Sequence, residues 1–288
     1  MLPGLPEAGG ITMIFDTHAH YDDEAFDEDR GVLLGGMPEK GVDYIVDVGA
    51  SMESCRKVLA LTEEYPFIYG AVGVHPSETE NLTEGDIQWL REKAADSKVV
   101  AIGEIGLDYH WPTPDREIQK KWFERQLALA RETDLPVIIH SRDAAKDTLD
   151  ILRDWQGQKT KGVIHCFAYT KETAREYLDM DYYFGIGGVL TFKNARRLLE
   201  AAEYLPLERI LLETDCPYLA PEPYRGRRNQ SAYIDLVAER LAQIKGITKE
   251  KVLAQTLQNG LDFYSISKER KENTDGISGD AHGNGGNH

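Results

Sequence analysis

The stretch Ile14-Phe15-Asp16-Thr17-His18-Ala19-His20 reads as a short apolar strand that runs into two histidines. In an extended segment residues i and i+2 point to the same side, so both imidazoles can reach one point in space. An open doubly wound sheet usually carries a glycine-rich phosphate turn after its first strand; His18-Ala19-His20 occupies that position here. Working outward, β-rich apolar runs recur near 13–17, 43–48, 67–73, 98–103, 136–140, 162–166, 182–186 and 209–214. Helical patterns lie between them, near 28–39, 53–65, 84–95, 143–155, 171–180 and 193–203. Another begins near Asp115, with Ile118, Trp122, Phe123 and Leu127 on one face, and helices near 230–245 and 248–264 close the series. Eight strands, each followed by a helix, predict an α/β fold: a single-domain (β/α)8 TIM barrel over 13–267.

The flanks differ in composition. Residues 1–12 are Pro/Gly-rich and acidic, without the cationic and apolar regions of a secretory signal, and are expected to be a flexible extension. From Lys268 the chain turns polar and Gly/Asn-rich; residues 268–288 are expected to be a disordered tail, so His282 and His288 are set aside. No run approaches the roughly 20 apolar residues of a membrane span. Cys55, Cys166 and Cys216 are odd in number and widely spaced, which suits a reducing cytoplasm. The formal net charge of −16 argues against a protein that coats itself with nucleic acid; any polyanion must be held locally, by a basic patch or a metal. No obligate protein partner is evident.

Every histidine outside the tail falls at or just past the C-terminal end of a predicted strand, the rim where barrel enzymes carry their sites. His18 and His20 follow the first strand, His75 the third, His140 the fifth and His165 the sixth; Glu104 ends the fourth, with His110 just beyond, and Asp215 ends the eighth. Alternation along a strand turns Cys166 and Cys216 away from the neighbouring ligands, so both are expected to be small packing residues. Four imidazoles and two carboxylates exceed the needs of one tetrahedral zinc with an open position. They suit two divalent ions about 3.5–4 Å apart. Glu104 is the natural bridge, His18, His20 and Asp215 complete one site, and His140 and His165 the other. Mixed N/O ligation admits Mg, Mn or Zn.

The ordered motifs resemble the TatD family of metal-dependent hydrolases, within the amidohydrolase-like barrels. They are Asp16-Thr17-His18-Ala19-His20-Tyr21-Asp22, Gly73-Val74-His75-Pro76, Gly103-Glu104-Ile105-Gly106-Leu107-Asp108-Tyr109 and His140-Ser141-Arg142-Asp143-Ala144. Further along come His165-Cys166-Phe167, Thr191-Phe192-Lys193-Asn194-Ala195, Glu213-Thr214-Asp215-Cys216-Pro217-Tyr218-Leu219-Ala220-Pro221 and Tyr224-Arg225-Gly226-Arg227-Arg228-Asn229. The resemblance covers roughly Met13 to Ser267. It implies a deoxyribonuclease of the TatD type, often a 3′→5′ exonuclease on single strands, with His18, His20, Glu104, His140, His165 and Asp215 as metal ligands. The chain departs from the family pattern at Tyr21, where leucine is common, and at Ala168-Tyr169, where Ser-Gly is common; the second change touches the polar surroundings of the sixth strand's loop.

The expected reaction is hydrolysis of phosphodiester bonds in nucleic acid, single-stranded DNA before RNA. Asp215 is read as a ligand that also orients or deprotonates water, or as a ligand alone. Tyr224, Arg225 and Arg227 form the best basic cluster for phosphate, because arginine binds it in a bidentate fashion; Arg142 lies on the same rim. His75 either contacts phosphate or braces its loop. Tyr109, His110 and Trp111 either stack a splayed base or form a wall. The alternative reading is a D-aminoacyl-tRNA deacylase or small-molecule amidohydrolase using the same metals.

Overall fold

The computed structural model describes residues 13–155 and 161–267. The extension 1–12 and the tail 268–288 lie outside the described residues. Eight parallel strands follow one another in a single sheet: β1 (Ile14–Ala19), β2 (Val42–Val48), β3 (Ile68–Val72), β4 (Val99–Asp108), β5 (Val137–Arg142), β6 (Gly162–Ile164), β7 (Tyr183–Ile186) and β8 (Ile210–Leu212). The sheet curls until its first and last strands meet. The Thr17 hydroxyl donates to the Leu212 carbonyl at 2.9 Å, and the Asp215 amide donates to the His18 carbonyl, also at 2.9 Å. This is the predicted α/β barrel.

Helices α1 (Arg30–Gly35), α2 (Met52–Glu64), α3 (Glu84–Lys93), α4 (Arg116–Thr133), α5 (Ala145–Trp155), α6 (Lys171–Asp179), α7 (Arg196–Tyr204), α8 (Ile234–Lys245) and α9 (Lys249–Phe263) surround the sheet. Their starts are chemically marked. Ser51, Asp115, Thr170 and Thr248 each accept an amide proton of the first turn, and Thr83 with Asp86 forms a capping box. The helix expected over 28–39 is split. Gly35 and Gly36 end α1, and Pro38 starts a separate 3-10 turn over Pro38–Lys40, because proline offers no amide to continue a helix.

Two apolar layers result. One lies between strands and helices. The other fills the barrel, where Phe15, Val46, Ala101, Ile138, Val163 and Leu211 meet Leu257, Leu261 and Phe263 of α9. Tyr264 packs 6.0 Å from the Phe15 ring, and its hydroxyl donates to the Thr17 carbonyl at 2.9 Å. The α9 end thus plugs the floor, leaving the opposite, C-terminal mouth for polar residues.

Strand β4 departs most from expectation. It was predicted to stop near Gly103, but continues to Asp108, so Glu104 lies within the strand. The ladder allows this because β5 supplies partners as far as Asp108↔Arg142. Gly106, at φ +144°, is required here: a Cβ would stand 2.0 Å from the His140 carbonyl oxygen.

Candidate metal centre

Two backbone bonds join β1 to the segment after β8: the Asp215 amide to the His18 carbonyl, and the His20 amide to the Cys216 carbonyl at 2.8 Å. They bring Asp215 to the histidine pair. His18 and His20 Nε2 are 3.0 Å apart, and Asp215 Oδ1 lies 3.3 Å from His20 Nε2 and 3.7 Å from His18 Nε2. Behind them Asp16 accepts from the Thr214 amide and hydroxyl, the Ser231 hydroxyl and the His18 amide. Burial pushes its carboxyl up to about 7 against those donors.

Glu104 divides its two oxygens. Oε2 faces His18 at 3.7 Å and His20 at 3.8 Å, while Oε1 faces His140 Nδ1 at 2.7 Å and His165 Nε2 at 3.3 Å. Burial would raise its pKa, but His165 and His140 hold it well below the usual carboxylate range.

Outer partners fix the rings. A carbonyl only accepts, so the 2.8 Å contact of His20 Nδ1 with the Val48 oxygen places a proton on Nδ1 and turns Nε2 to the centre. His140 Nε2 stands 3.0 Å from Asp108 Oδ2, turning Nδ1 inward. His165 Nδ1 is 3.2 Å from Glu213 Oε1, within ion-pair range though not aligned as a hydrogen bond. The His18 and His165 rings stack at 3.7 Å. Burial pulls every imidazole down. His18 stays well below 6.5, with His165 adding to the effect. The Asp215 carboxylate overrides burial at His20, raising it to about 10, and Glu213, Glu104 and Asp215 raise His165 to about 9.

This donor set fits divalent cations. His18, His20 and Asp215 offer atoms within 4.8 Å of one another, as do His18, Glu104 and His165. Imidazole nitrogens and carboxylate oxygens this close carry charge and lone pairs that a cation satisfies. His75, with Glu104 and His140, forms another close group, but its tautomer differs. The Ser77 amide donates to His75 Nδ1 at 3.1 Å, and burial together with His140 lowers His75 to about 4. It is therefore a neutral ring with its proton on Nε2, a donor rather than a ligand.

The centre opens into a cavity of about 1080 Å³ lined by His20, Glu104, His140, His165 and Asp215, with His75, Arg142 and Trp111 above them. Tyr224, Arg225 and Arg227 do not line it. Tyr224 stacks on Tyr233 at 4.4 Å, the Arg225 guanidinium covers the Phe192 ring at 4.2 Å, and Arg227 is exposed. Tyr109 also faces elsewhere, its hydroxyl donating to Asp147, whereas Trp111 is 57% exposed at the mouth. Acidic residues dominate the rest of the rim: Asp22, Asp23, Glu24, Glu53 and Glu78 against Lys57.

Three residues escaped the sequence reading. Asp108 and Glu213 back His140 and His165: Asp108 lies four residues after Glu104 on β4, and Glu213 two before Asp215 in the segment just past β8. Cys166 corrects an expectation. Strand β6 ends at Ile164 and Cys166 has φ +45°, so alternation no longer governs it. It lies beside His165 and Asp215, whereas Cys216 is fully buried, as expected.

Comparison with known proteins agrees with this geometry. Residues 15–265 match the family model described as TatD-related DNase. The chain is 42% identical over 255 residues to the uncharacterized metal-dependent hydrolase YabD of Bacillus subtilis, covering 88% of this chain and all of that protein. It is 37% identical over 261 residues to the uncharacterized metal-dependent hydrolase YcfH of Escherichia coli, covering 89% and 97%. The crystal structure of YjjV, a TatD homologue from E. coli, superposes with a TM-score of 0.84 at 30% identity, over 90% of this chain and 100% of that one.

Proposed function

We infer, for a chain that belongs to the TatD family and is thus a metal-dependent hydrolase, that it cleaves phosphodiester bonds of nucleic acid with two divalent ions, Mg, Mn or Zn. The preferred substrate is the 3′ end of single-stranded DNA, then RNA. The divided carboxylate of Glu104, one oxygen toward each histidine pair, is the observation that carries this reading. His18, His20 and Asp215 would hold one ion, His140 and His165 the other, with Glu104 between. Such ions lower the pKa of water and offset phosphate charge.

The protein groups supply the rest. Asp215, which lines the cavity, orients water and takes its proton. The neutral His75 presents Nε2–H to a non-bridging phosphate oxygen, and Arg142 adds a cation on the same rim. Trp111 offers a face for a splayed base. The family model, described as a DNase, supports the substrate class. Three free cysteines support a reducing cytoplasm. No described helix is long and apolar enough to cross a membrane.

The acidic rim favours one second reading, hydrolysis of a D-aminoacyl-tRNA ester, because Asp22, Asp23 and Glu24 would complement an α-ammonium group. Incubation of the purified protein with end-labelled single-stranded DNA, RNA and D-aminoacyl-tRNA, with Mg²⁺, Mn²⁺ or EDTA and with Glu104→Ala alongside, separates the readings. Stepwise shortening from the 3′ end that EDTA abolishes is expected; deacylation without shortening would replace the nuclease reading with the ester one.

A further inference from the structure

Helix α4 buries two glutamines completely, Gln119 and Gln126. They lie on one face, about two turns and about 10 Å apart along the axis. Each closes a pair of hydrogen bonds on a single backbone residue. Gln126 Oε1 accepts the Val74 amide at 2.8 Å, and its Nε2 donates to the Val74 carbonyl at 3.0 Å. Gln119 does the same for Asp108, at 2.8 and 3.0 Å, and donates its second amide hydrogen to the Pro114 carbonyl at 2.9 Å. A side-chain amide, with acceptor and donor side by side, copies one residue of a neighbouring strand. The topology calls for such a substitute. Pairing of β3 with β4 ends at Val72↔Ile102, so both backbones run on toward the rim without each other as partner. An unpaired buried backbone group is costly, and stability alone would account for a polar side chain at each place. The two residues held are what distinguish this pair. Val74 directly precedes His75, whose amide donates to the Ala50 carbonyl at 2.9 Å. Asp108 holds His140 Nε2 through Oδ2 at 3.0 Å and accepts the His110 amide through Oδ1 at 2.9 Å.

We propose that Gln119 and Gln126 are positioning residues, and that α4 is the ruler that spaces them. The helix thereby fixes the carboxylate behind His140 and the ring of His75 at one separation across the metal centre. Trp122, Phe123 and Leu127 of the same helix are buried in the layer against the strands, which keeps the ruler from shifting. Gln119 acts on metal binding, through Asp108 and His140. Gln126 acts on phosphate binding, through Val74 and His75. Neither side chain touches a ligand or a substrate. The Gln119 half rests on the metal centre alone, and the Gln126 half rests on the reading of His75 as a phosphate donor.

The test compares Gln119→Met and Gln126→Met in the full chain, since methionine keeps the length and apolar stem and removes the hydrogen bonds. Titration calorimetry reads two affinities, for Mg²⁺ and, at saturating Mg²⁺, for inorganic phosphate. Gln119→Met should lower Mg²⁺ affinity about tenfold, the scale of disturbing an outer partner of a metal-binding histidine, and leave phosphate affinity unchanged. Gln126→Met should lower phosphate affinity about tenfold and leave Mg²⁺ affinity unchanged. A merely structural role lowers Tm in both variants without this crossed pattern, so a Tm loss with both affinities intact, or with both lowered alike, overturns the proposal. Hydrogen exchange on the unaltered protein covers a variant that fails to fold. At about ten times the Kd of each ligand, the Asp108 amide should exchange about tenfold more slowly with Mg²⁺, and the Val74 amide only once phosphate is added; unchanged exchange at both amides overturns the proposal. Unaltered protein that binds phosphate yet leaves single-stranded DNA intact overturns the nuclease reading and leaves this one standing. Unaltered protein that binds no phosphate overturns the Gln126 half.

Discussion

The Nδ1 atom of His140 stands 2.7 Å from Oε1 of Glu104, though 36 positions separate them in the chain. Neighbouring parallel strands bring them together, and the absence of a side chain at Gly106 lets β4 approach the His140 backbone. The second Glu104 oxygen faces the other histidine pair, so this one carboxylate touches every imidazole of the ligand set.

Glu104→Gln keeps the size of that group and removes its charge. The variant should bind fewer divalent ions per chain, and its kcat should fall at least about 100-fold, the scale of losing one preorganised electrostatic group. Elemental analysis and steady-state kinetics check both. Wild-type stoichiometry with wild-type kcat would refute the shared-carboxylate arrangement.

Asp108 acts through His140 by holding its Nε2. Asp108→Asn should weaken metal affinity roughly 10–100-fold, as removal of outer partners of metal-binding histidines does. Titration calorimetry reads the affinity. A loss of thermal stability with unchanged affinity would make Asp108 a packing residue instead.

Protonation of the metal-free centre sets a pH window. His20 and His165 are raised to about 10 and about 9, above 6.5, so the folded state holds more protons than the unfolded one between those values. Their stabilisation is complete below about 6.5 and is lost as pH rises through 9 to 10. Cations displace those protons at pH 7. The stabilising effect of metal should therefore grow from pH 6.5 to 9, seen as a widening Tm gap between loaded and EDTA-treated protein. A gap that narrows over this range contradicts the assigned protonation.

Gly185 leaves room for the carboxylate behind His165. A Cβ there would lie 2.1 Å from Glu213 Oε2. Gly185→Ala should cost about 1–3 kcal/mol, the usual penalty of overpacking, and should also weaken metal binding because Glu213 must move. Denaturant unfolding and metal titration of the same sample test the coupling; a stability loss with unaltered metal affinity would detach Glu213 from the centre.

Arg142 and Arg225 divide on position. Arg142 lines the cavity and Arg225 covers Phe192. Arg142→Ala should raise KM for an oligonucleotide about tenfold, the scale of one charged hydrogen bond, while Arg225→Ala leaves KM unchanged. The reverse ranking would place the substrate along the loop after β8.

The residues that converge on the candidate centre were legible in the sequence because a barrel puts its chemistry at strand ends, and apolar runs mark those ends. His18 and His20 could be paired by spacing alone. Asp108 was not found because β4 appeared to stop at Gly103, and a longer strand is set by its partner β5, which the local sequence does not reveal. The Glu104–Asp108 spacing was the available signal, since residues four apart on a strand share a face. Arg225 and Arg227 lie outside the cavity lining for another reason: charge in a loop shows what a side chain can bind, not where the loop carries it. Cys166 escaped because alternation was extended past the last paired residue of β6.

The bonds joining His18 to Asp215 and His20 to Cys216 bear on how the protein is made. Asp215 is translated 197 positions after His18, and its place beside the histidines exists only when the barrel's two edges have met. A chain still emerging from the ribosome holds the early histidines without their late carboxylate. Hydrolytic competence is therefore withheld until synthesis has passed β8, and a nascent fragment carries an incomplete centre throughout translation.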